Sequence, residues 1–303
     1  MFSAKVKSYA KVNLSLNVSG VSGGYHLIDS AVCSVDLYDT VCAKPRRDAL
    51  VNVYMHGKGS ESIPPEKNNA VRAAEAFVSA FGTRGADIEI YKDIPVGAGL
   101  GGSSADAAGV LNALAKLYKV EDFAALKALA DGLGSDTGYM LRGGFARLTG
   151  RGERIEPLSS PRRYHMLLFL PETPVSTPAC YKKYDESPDA LRADTARLCA
   201  ALAAGNFAGV AENVYNALGA PACALNPDCA AALEAARELS PSACAVTGSG
   251  SAVFALFESE ELCRWAKSRC RGKIRTRVVK TVEPRQGGAL LSGNIYRLSE
   301  TEQ

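Results

Sequence analysis

Apolar and polar positions alternate from Ser3 to Tyr9, and again from Val12 to Val18 through Leu14 and Leu16, which predicts two strands. A glycine turn, residues 20–24, follows. Residues 30–36 and 51–54 read as further strands. Pro64-Pro65 interrupts the pattern before a helix expected over 69–81 and stopped by Gly82. A strand over 87–91 runs into the glycine-rich residues 97–102. Helices are then expected over 104–118 and 123–133, the second stopped by Gly134, and a strand over 143–148.

The pattern changes near residue 161. A strand over 166–170 precedes helices at 190–203, 208–218 and 227–239. Strands at 243–246 and 252–257 flank a loop, 247–251. A helix capped by Ser259 and ending near Cys270 leads to a last strand, 275–279. This half reads as α+β with mostly antiparallel pairing. Two domains are expected, residues 1–160 and 161–303, with the cleft between them as the ligand site.

Composition narrows the classes. The 303 residues are 47% hydrophobic and 22% charged, as in soluble globular chains. A net charge of +3 without a dense basic run argues against nucleic acid as a partner. No apolar run reaches membrane-spanning length, so no membrane partner is expected. Nine cysteines without CxxC or zinc-site spacing read as reduced, small apolar side chains and predict a cytoplasmic setting, with no metal held by protein ligands.

The segment IPVGAGLGGSSADAAGVL, from Ile94, carries the first chemistry. Its GAGLGG core fits the GxGxxG pattern, yet no second strand delivers the acid a dinucleotide site requires. A Walker loop is excluded because no Gly-Lys-Ser/Thr occurs. Glycines at 97, 99, 101 and 102 nevertheless allow the backbone close to a ligand. Consecutive amides, with Ser103 and Ser104 at a helix start, suit an anion. The plainer alternative is a capping box formed by Ser103 and Asp106, which leaves the four glycines unexplained.

This segment resembles the second motif of the GHMP small-molecule kinases, where the loop wraps the ATP phosphates. The resemblance runs from about Ser3 to Val279. It implies a two-domain α+β fold: an N-terminal α/β domain related to a ribosomal-protein fold, and a C-terminal ferredoxin-like domain. In the N-terminal segment, Ala10, Lys11, Val12, Asn13, Leu14, Leu16, Gly24, Tyr25 and His26 match a branch of the family serving the non-mevalonate isoprenoid pathway. That match implies ATP-dependent phosphorylation of the C2 hydroxyl of a small polyol bearing a cytidine diphosphate group, with Mg²⁺ bridging the phosphates. The enzyme would act as a monomer or homodimer.

The resemblance assigns Asp136, in LGSDTGYM, as catalytic base and Lys11 as its partner. The alternative for Asp136 is a simple helix cap. Asn13, Tyr25, His26, Thr177 and Tyr181 would bind substrate, with Tyr25 and Tyr181 enclosing the cytosine. Core packing is the alternative for Tyr181, and solvated polar positions for Lys11 and Asn13. Asn68, Lys92, Pro95, Gly97, Gly99, Leu100, Gly101, Gly102, Ser103, Ser104, Gly248, Ser249 and Gly250 would contact ATP, with Lys67-Asn68 and Lys92 near adenine and ribose. Two departures stand out. Thr137-Gly138 replaces Val-Pro and is expected to loosen the backbone behind Asp136, and Asn216-Ala217-Leu218-Gly219 replaces Asn-Asp-Leu-Glu. The rivals are another GHMP kinase, a non-catalytic nucleotide-binding relative, and a dehydrogenase.

Overall fold

The computed structural model describes residues 2–59, 68–188, 193–272, 274–285 and 296–297. The first half runs β1 (Phe2–Asn13), β2 (Ser15–Ser22), β3 (Tyr25–Pro45), β4 (Asn52–His56), α1 (Asn69–Phe81), β5 (Ala86–Tyr91), α2 (Gly102–Tyr118), α3 (Phe123–Asp131), α4 (Thr137–Met140), β6 (Phe145–Gly150) and β7 (Arg154–Leu158). β3 is the organising strand, pairing antiparallel with β1, β2, β5 and β6. The break expected between residues 9 and 12 is a register shift within one strand, between Tyr9 and Ala10. Beyond it Val12 is fully buried in the core, while Lys11 and Asn13 face the opposite way into a cleft.

Helix placement follows from burial pattern and caps. α1 buries Ala70, Ala73, Ala74 and Phe77, one face of a helix. The Asn68 side chain caps its first turn and left-handed Gly82 ends it. α2 is buried almost all round, and its small residues let it lie against the sheet. A Cβ at Gly109 would stand 2.7 Å from Val41 Cγ2, so only glycine allows this approach. Ser8 Oγ of β1 donates to the Ala105 carbonyl, tying the start of α2 to the strand that carries Lys11. α3 ends at Gly132, earlier than the expected stop at Gly134.

The second half runs β8 (His165–Leu170), α5 (Thr177–Glu186), α6 (Thr195–Ala203), α7 (Phe207–Glu212), β9 (Tyr215–Asn216), α8 (Gly219–Leu225), α9 (Pro227–Glu238), β10 (Ala243–Val246), β11 (Val253–Phe257), α10 (Glu260–Arg269) and β12 (Arg275–Lys280). β10, β11, β8 and β12 form an antiparallel sheet in that order, and α9 and α10 are its crossovers. This is the ferredoxin-like β-α-β-β-α-β arrangement. The helix expected over 208–218 is corrected. α7 ends at Glu212, and β9 pairs parallel with β2 instead. The amides of Tyr215 and Ala217 donate to the Leu14 and Leu16 carbonyls at 3.2 and 2.9 Å, so tertiary pairing overrides local helical preference. A strand from the second half thus joins the first sheet, and one hydrophobic core spans both halves. In the C-terminal segment, β13 (Tyr296–Arg297) pairs with β1.

Candidate active site

A cleft of about 750 Å³ opens where β1, the start of α2, α5 and the loop after β10 converge. Lys11 and Asp136 meet in it, Nζ to Oδ2 at 3.6 Å. Lys11 Nζ also donates to Asn13 Oδ1 at 2.5 Å, and Asn13 Nδ2 donates to Ser30 Oγ at 2.8 Å. These bonds fix both cleft-facing polar side chains, Lys11 and Asn13, although both are buried. Asp136 stands at the start of α4 but makes no side-chain capping bond, so its carboxylate stays available. The turn that carries Thr137-Gly138 is hydrogen-bonded on both sides. The Thr137 amide donates to the Gly134 carbonyl at 3.0 Å. The Tyr139 hydroxyl sits between Ser34 Oγ at 2.9 Å and the Gly144 carbonyl at 2.7 Å, pinning the turn to the core.

Two glycine loops face each other across Lys11. Gly97, Gly99 and Gly101 all have φ near +70°, the left-handed region. A Cβ at Gly99 would stand 2.2 Å from the Thr247 carbonyl oxygen, and one at Gly248 would stand 2.8 Å from the Gly99 carbonyl oxygen. The loops are stitched by the Ala252 amide donating to the Ala98 carbonyl at 3.0 Å. Gly97, Gly99, Gly101, Gly102, Ser103, Ser104, Gly248 and Ser249 all line the cleft. The first amides of α2 have no intrahelical partners, as at any helix start, and no side-chain cap engages them. The capping box between Ser103 and Asp106 is absent, because Ser103 Oγ accepts from Asn69 and Asp106 pairs with Lys92.

The opposite wall is aromatic. The His26 ring stacks on Tyr181 with centroids 4.5 Å apart, and its Nε2 lies 2.8 Å from Asp185 Oδ1. Tyr25 is exposed under the Arg151 guanidinium, 4.6 Å from the ring centroid. His26 thus covers one face of Tyr181, where a cytosine was expected between Tyr25 and Tyr181. Burial, with the nearby Asp136 charge, pushes the Tyr181 phenol up to about 12, so at neutral pH it is a hydrogen-bond donor. Thr177 Oγ1 shares a 2.8 Å hydrogen bond with Ser249 Oγ, linking this wall to the second glycine loop.

Several expected contacts are elsewhere. The Lys92 ammonium is 3% exposed and bonded to Asp39 at 2.5 Å and Asp106 at 2.6 Å, which removes it from the cleft. Asn68 is spent on capping α1. The Leu100 side chain is in the core, and its carbonyl accepts from the Lys11 amide at 3.0 Å. Pro95 and Gly250 are not among the residues that line the cleft. Lys67 is outside the described residues.

Comparison with known proteins matches this arrangement. Residues 68–144 match the family model for the GHMP kinases N terminal domain, and residues 198–263 match GHMP kinases C terminal. A 4-diphosphocytidyl-2-C-methyl-D-erythritol kinase of Cutibacterium acnes is 36% identical over 81% of this chain and 83% of its own. The chain belongs to the GHMP kinase family. The kinase of the same name from Desulfitobacterium hafniense is 37% identical over 84% of this chain and 87% of its own. A crystal structure of 4-(cytidine 5'-diphospho)-2C-methyl-D-erythritol kinase superposes with a TM-score of 0.75 at 33% identity, covering 91% of this chain and 98% of that one.

Two cleft-shaping residues of this GHMP kinase, Asp185 and Arg151, were not singled out from the sequence, and Asn216 was noted only as the start of a segment that departs from the family pattern. Asn216 Nδ2 donates to the carbonyls of Val246 and Gly248, both at 2.7 Å, and so holds the second glycine loop. Asp185 orients His26, and its position one helical turn after Tyr181 was the available signal. Arg151 directly follows β6, and its guanidinium lies over the Tyr25 ring. Among the described residues, no helix is long and apolar enough to cross a membrane.

Proposed function

We propose that this GHMP kinase transfers the γ-phosphoryl group of ATP to the 2-hydroxyl of 4-diphosphocytidyl-2-C-methyl-D-erythritol, giving ADP and the 2-phosphate for isoprenoid precursor synthesis. The observation that carries the reading is the Lys11–Asp136 pair, which sits between an amide-lined cradle and an aromatic wall. The cradle suits a triphosphate, and the wall of Tyr25, His26 and Tyr181 suits a cytosine ring. Asp136 accepts the proton of the attacking hydroxyl. Lys11, steered by Asn13, places its charge beside the transferring phosphoryl, where negative charge must be stabilised.

Mg²⁺, when bound, neutralises charge on the phosphates. The described residues hold no cluster of three His, Cys, Asp or Glu ligands. Asp185 is committed to His26. The donors present therefore fit an ion held mainly by phosphate oxygens and water, with the Ser104 hydroxyl lining the same cleft. The cysteine pattern supports a reducing, cytoplasmic setting.

The test is ADP release coupled to a reporter enzyme, with the diphosphocytidyl polyol, mevalonate and homoserine as separate acceptors. Turnover confined to the first is expected. Turnover with another acceptor alone, or ATP binding without any turnover, would replace this reading.

A further inference from the structure

Cys223, in the last turn of α8, and Cys229, in the first turn of α9, place their Sγ atoms 4.0 Å apart. Cys223 is half-buried, and Cys229 lies fully buried behind it. The hydrogen bond with Cys229 holds the Cys223 thiol below the ordinary thiol value. Burial pushes Cys263 the other way, to about 12. The pair therefore combines proximity of the two sulfurs, partial exposure of the outer residue and an outer thiol that ionises more readily than an ordinary one.

This corner also supports both glycine loops of the cleft. Cys229 Sγ is 3.5 Å from the position a Cβ of Gly250 would take. Asn226, between the two thiols in sequence, accepts from the Cys229 amide at 3.2 Å and donates to the Thr173 carbonyl at 3.0 Å. The neighbouring Pro174 abuts the first loop, where a Cβ at Gly97 would stand 2.6 Å from Pro174 Cβ. A change in the spacing of Cys223 and Cys229 thus reaches Gly250 through the sulfur and Gly97 through Asn226 and Pro174. Lys11 and Asp136 are not part of this chain of contacts.

We propose that Cys223 and Cys229 are a redox-active dithiol, a modification site at which peroxide forms a disulfide and weakens ATP binding through the two glycine loops. The Cys223 thiolate attacks one peroxide oxygen, the O–O bond breaks, and the departing hydroxide takes a proton to become water. Cys229 then attacks the sulfenic sulfur, the S–O bond breaks, and a second water leaves with the Cys229 proton. Two thiols are oxidised and one peroxide is reduced. Closing the sulfurs from 4.0 Å to the disulfide length of about 2.05 Å draws the α8–α9 corner together. Thiol reductants reverse the step.

The test treats the full chain with hydrogen peroxide, alkylates it with iodoacetamide and maps it after trypsin. Cys199, Cys223 and Cys229 fall in one tryptic peptide, residues 198–237. In oxidised protein this peptide should carry an alkyl group on Cys199 alone, with Cys223 and Cys229 joined. Pairing through Cys199 or Cys180, or three alkylated cysteines after oxidation, overturns the proposal. This mass readout does not depend on the assigned acceptor. In parallel, the ATP KM of the oxidised enzyme should rise about fivefold, the lower end of typical coupling between sites, with kcat little changed and dithiothreitol restoring it. Cys223→Ser should abolish the response, with Cys223→Ala as the apolar alternative, and Cys199→Ser should retain it. An unchanged ATP KM in the disulfide form, or a response that survives in both Cys223 variants, overturns the proposal as well.

Discussion

Lys11 Nζ stands 3.6 Å from Asp136 Oδ2 while bonded to Asn13 Oδ1 at 2.5 Å, so one ammonium joins a strand, a one-turn helix and the floor of the cleft. The acid and the cation are thereby held together without substrate. Asp136→Asn keeps the shape and removes the proposed base. It should lower kcat by about a thousandfold, within the range for a lost general base, with ATP affinity retained. Rapid-quench turnover together with calorimetric ATP titration separates the two effects. Lys11→Met should likewise depress kcat more than acceptor affinity. Near-normal turnover in Asp136→Asn would remove that carboxylate from the mechanism.

Gly99 faces a different constraint from an ordinary turn glycine. Its φ is +76°, and a side chain would meet the Thr247 carbonyl at 2.2 Å. Gly99→Ala must therefore push the two loops apart. Its ATP KM should rise by about tenfold or more, the effect of misplacing groups that position a substrate. Gly82→Ala is the control, since Gly82 is also left-handed at +58° but has nothing within 4 Å of the added carbon. It should cost about 1 kcal/mol of stability and leave KM alone. Equal kinetic effects would mean that the close approach of the loops is unimportant.

The glycine-rich turn at the start of α2 was legible because its motif is local, with glycines and a helix start within a few positions, whereas the pairing of Lys11 with Asp136, far apart in the chain, came from the family resemblance alone. The ferredoxin-like half was legible from element order. Non-local pairing was not. Residues 213–218 continue a helical composition, yet β9 forms because the free edge of β2 accepts it. Lys92 reads as a cleft cation, and only the fold reveals Asp39 and Asp106 on either side of it. Asn216 acts on a loop thirty residues further along the chain, a contact no spacing rule anticipates.

The buried Lys92 triad gives a prediction about stability. Two carboxylates share one ammonium, and Asp106 Oδ1 has no hydrogen-bond partner. Burial, against the pull of Lys92, raises the Asp106 carboxyl to about 7. In the unfolded chain it titrates near its ordinary value of about 4. Between those values the folded state holds a proton the unfolded state has lost, so stability falls as pH rises through this window. The Tm of Asp106→Asn, which cannot ionise, should decline less than that of wild type between about pH 4 and pH 7. Parallel melting profiles would show that Asp106 is ionised throughout. Lys92→Met should destabilise by about 3–5 kcal/mol, because it strands buried carboxylates, and should not selectively weaken ATP binding.

His26 and Tyr181 lie as a stacked pair, 4.5 Å between centroids, with Asp185 hydrogen-bonded to the imidazole. A cytosine entering beside Tyr25 can stack on this pair from the open side, or take the face of Tyr181 that His26 now covers. Under the proposed function either geometry would make the pair a binding element for the cytidyl end with no part in the phosphoryl transfer, which is proposed for Lys11 and Asp136. Tyr181→Ala should therefore raise the KM for the diphosphocytidyl substrate by about tenfold or more, as expected when an aromatic stacking partner worth about 1–3 kcal/mol is removed. The ATP KM should not change, and kcat should fall far less than in Asp136→Asn. Asp185→Asn keeps a hydrogen-bonding oxygen beside His26 but removes the charge, so its acceptor KM should move less than that of Asp185→Ala. Steady-state kinetics with each substrate varied in turn checks all three variants. If Tyr181→Ala loses stability while both KM values stay fixed, the ring is a core residue and the cytidyl end binds elsewhere.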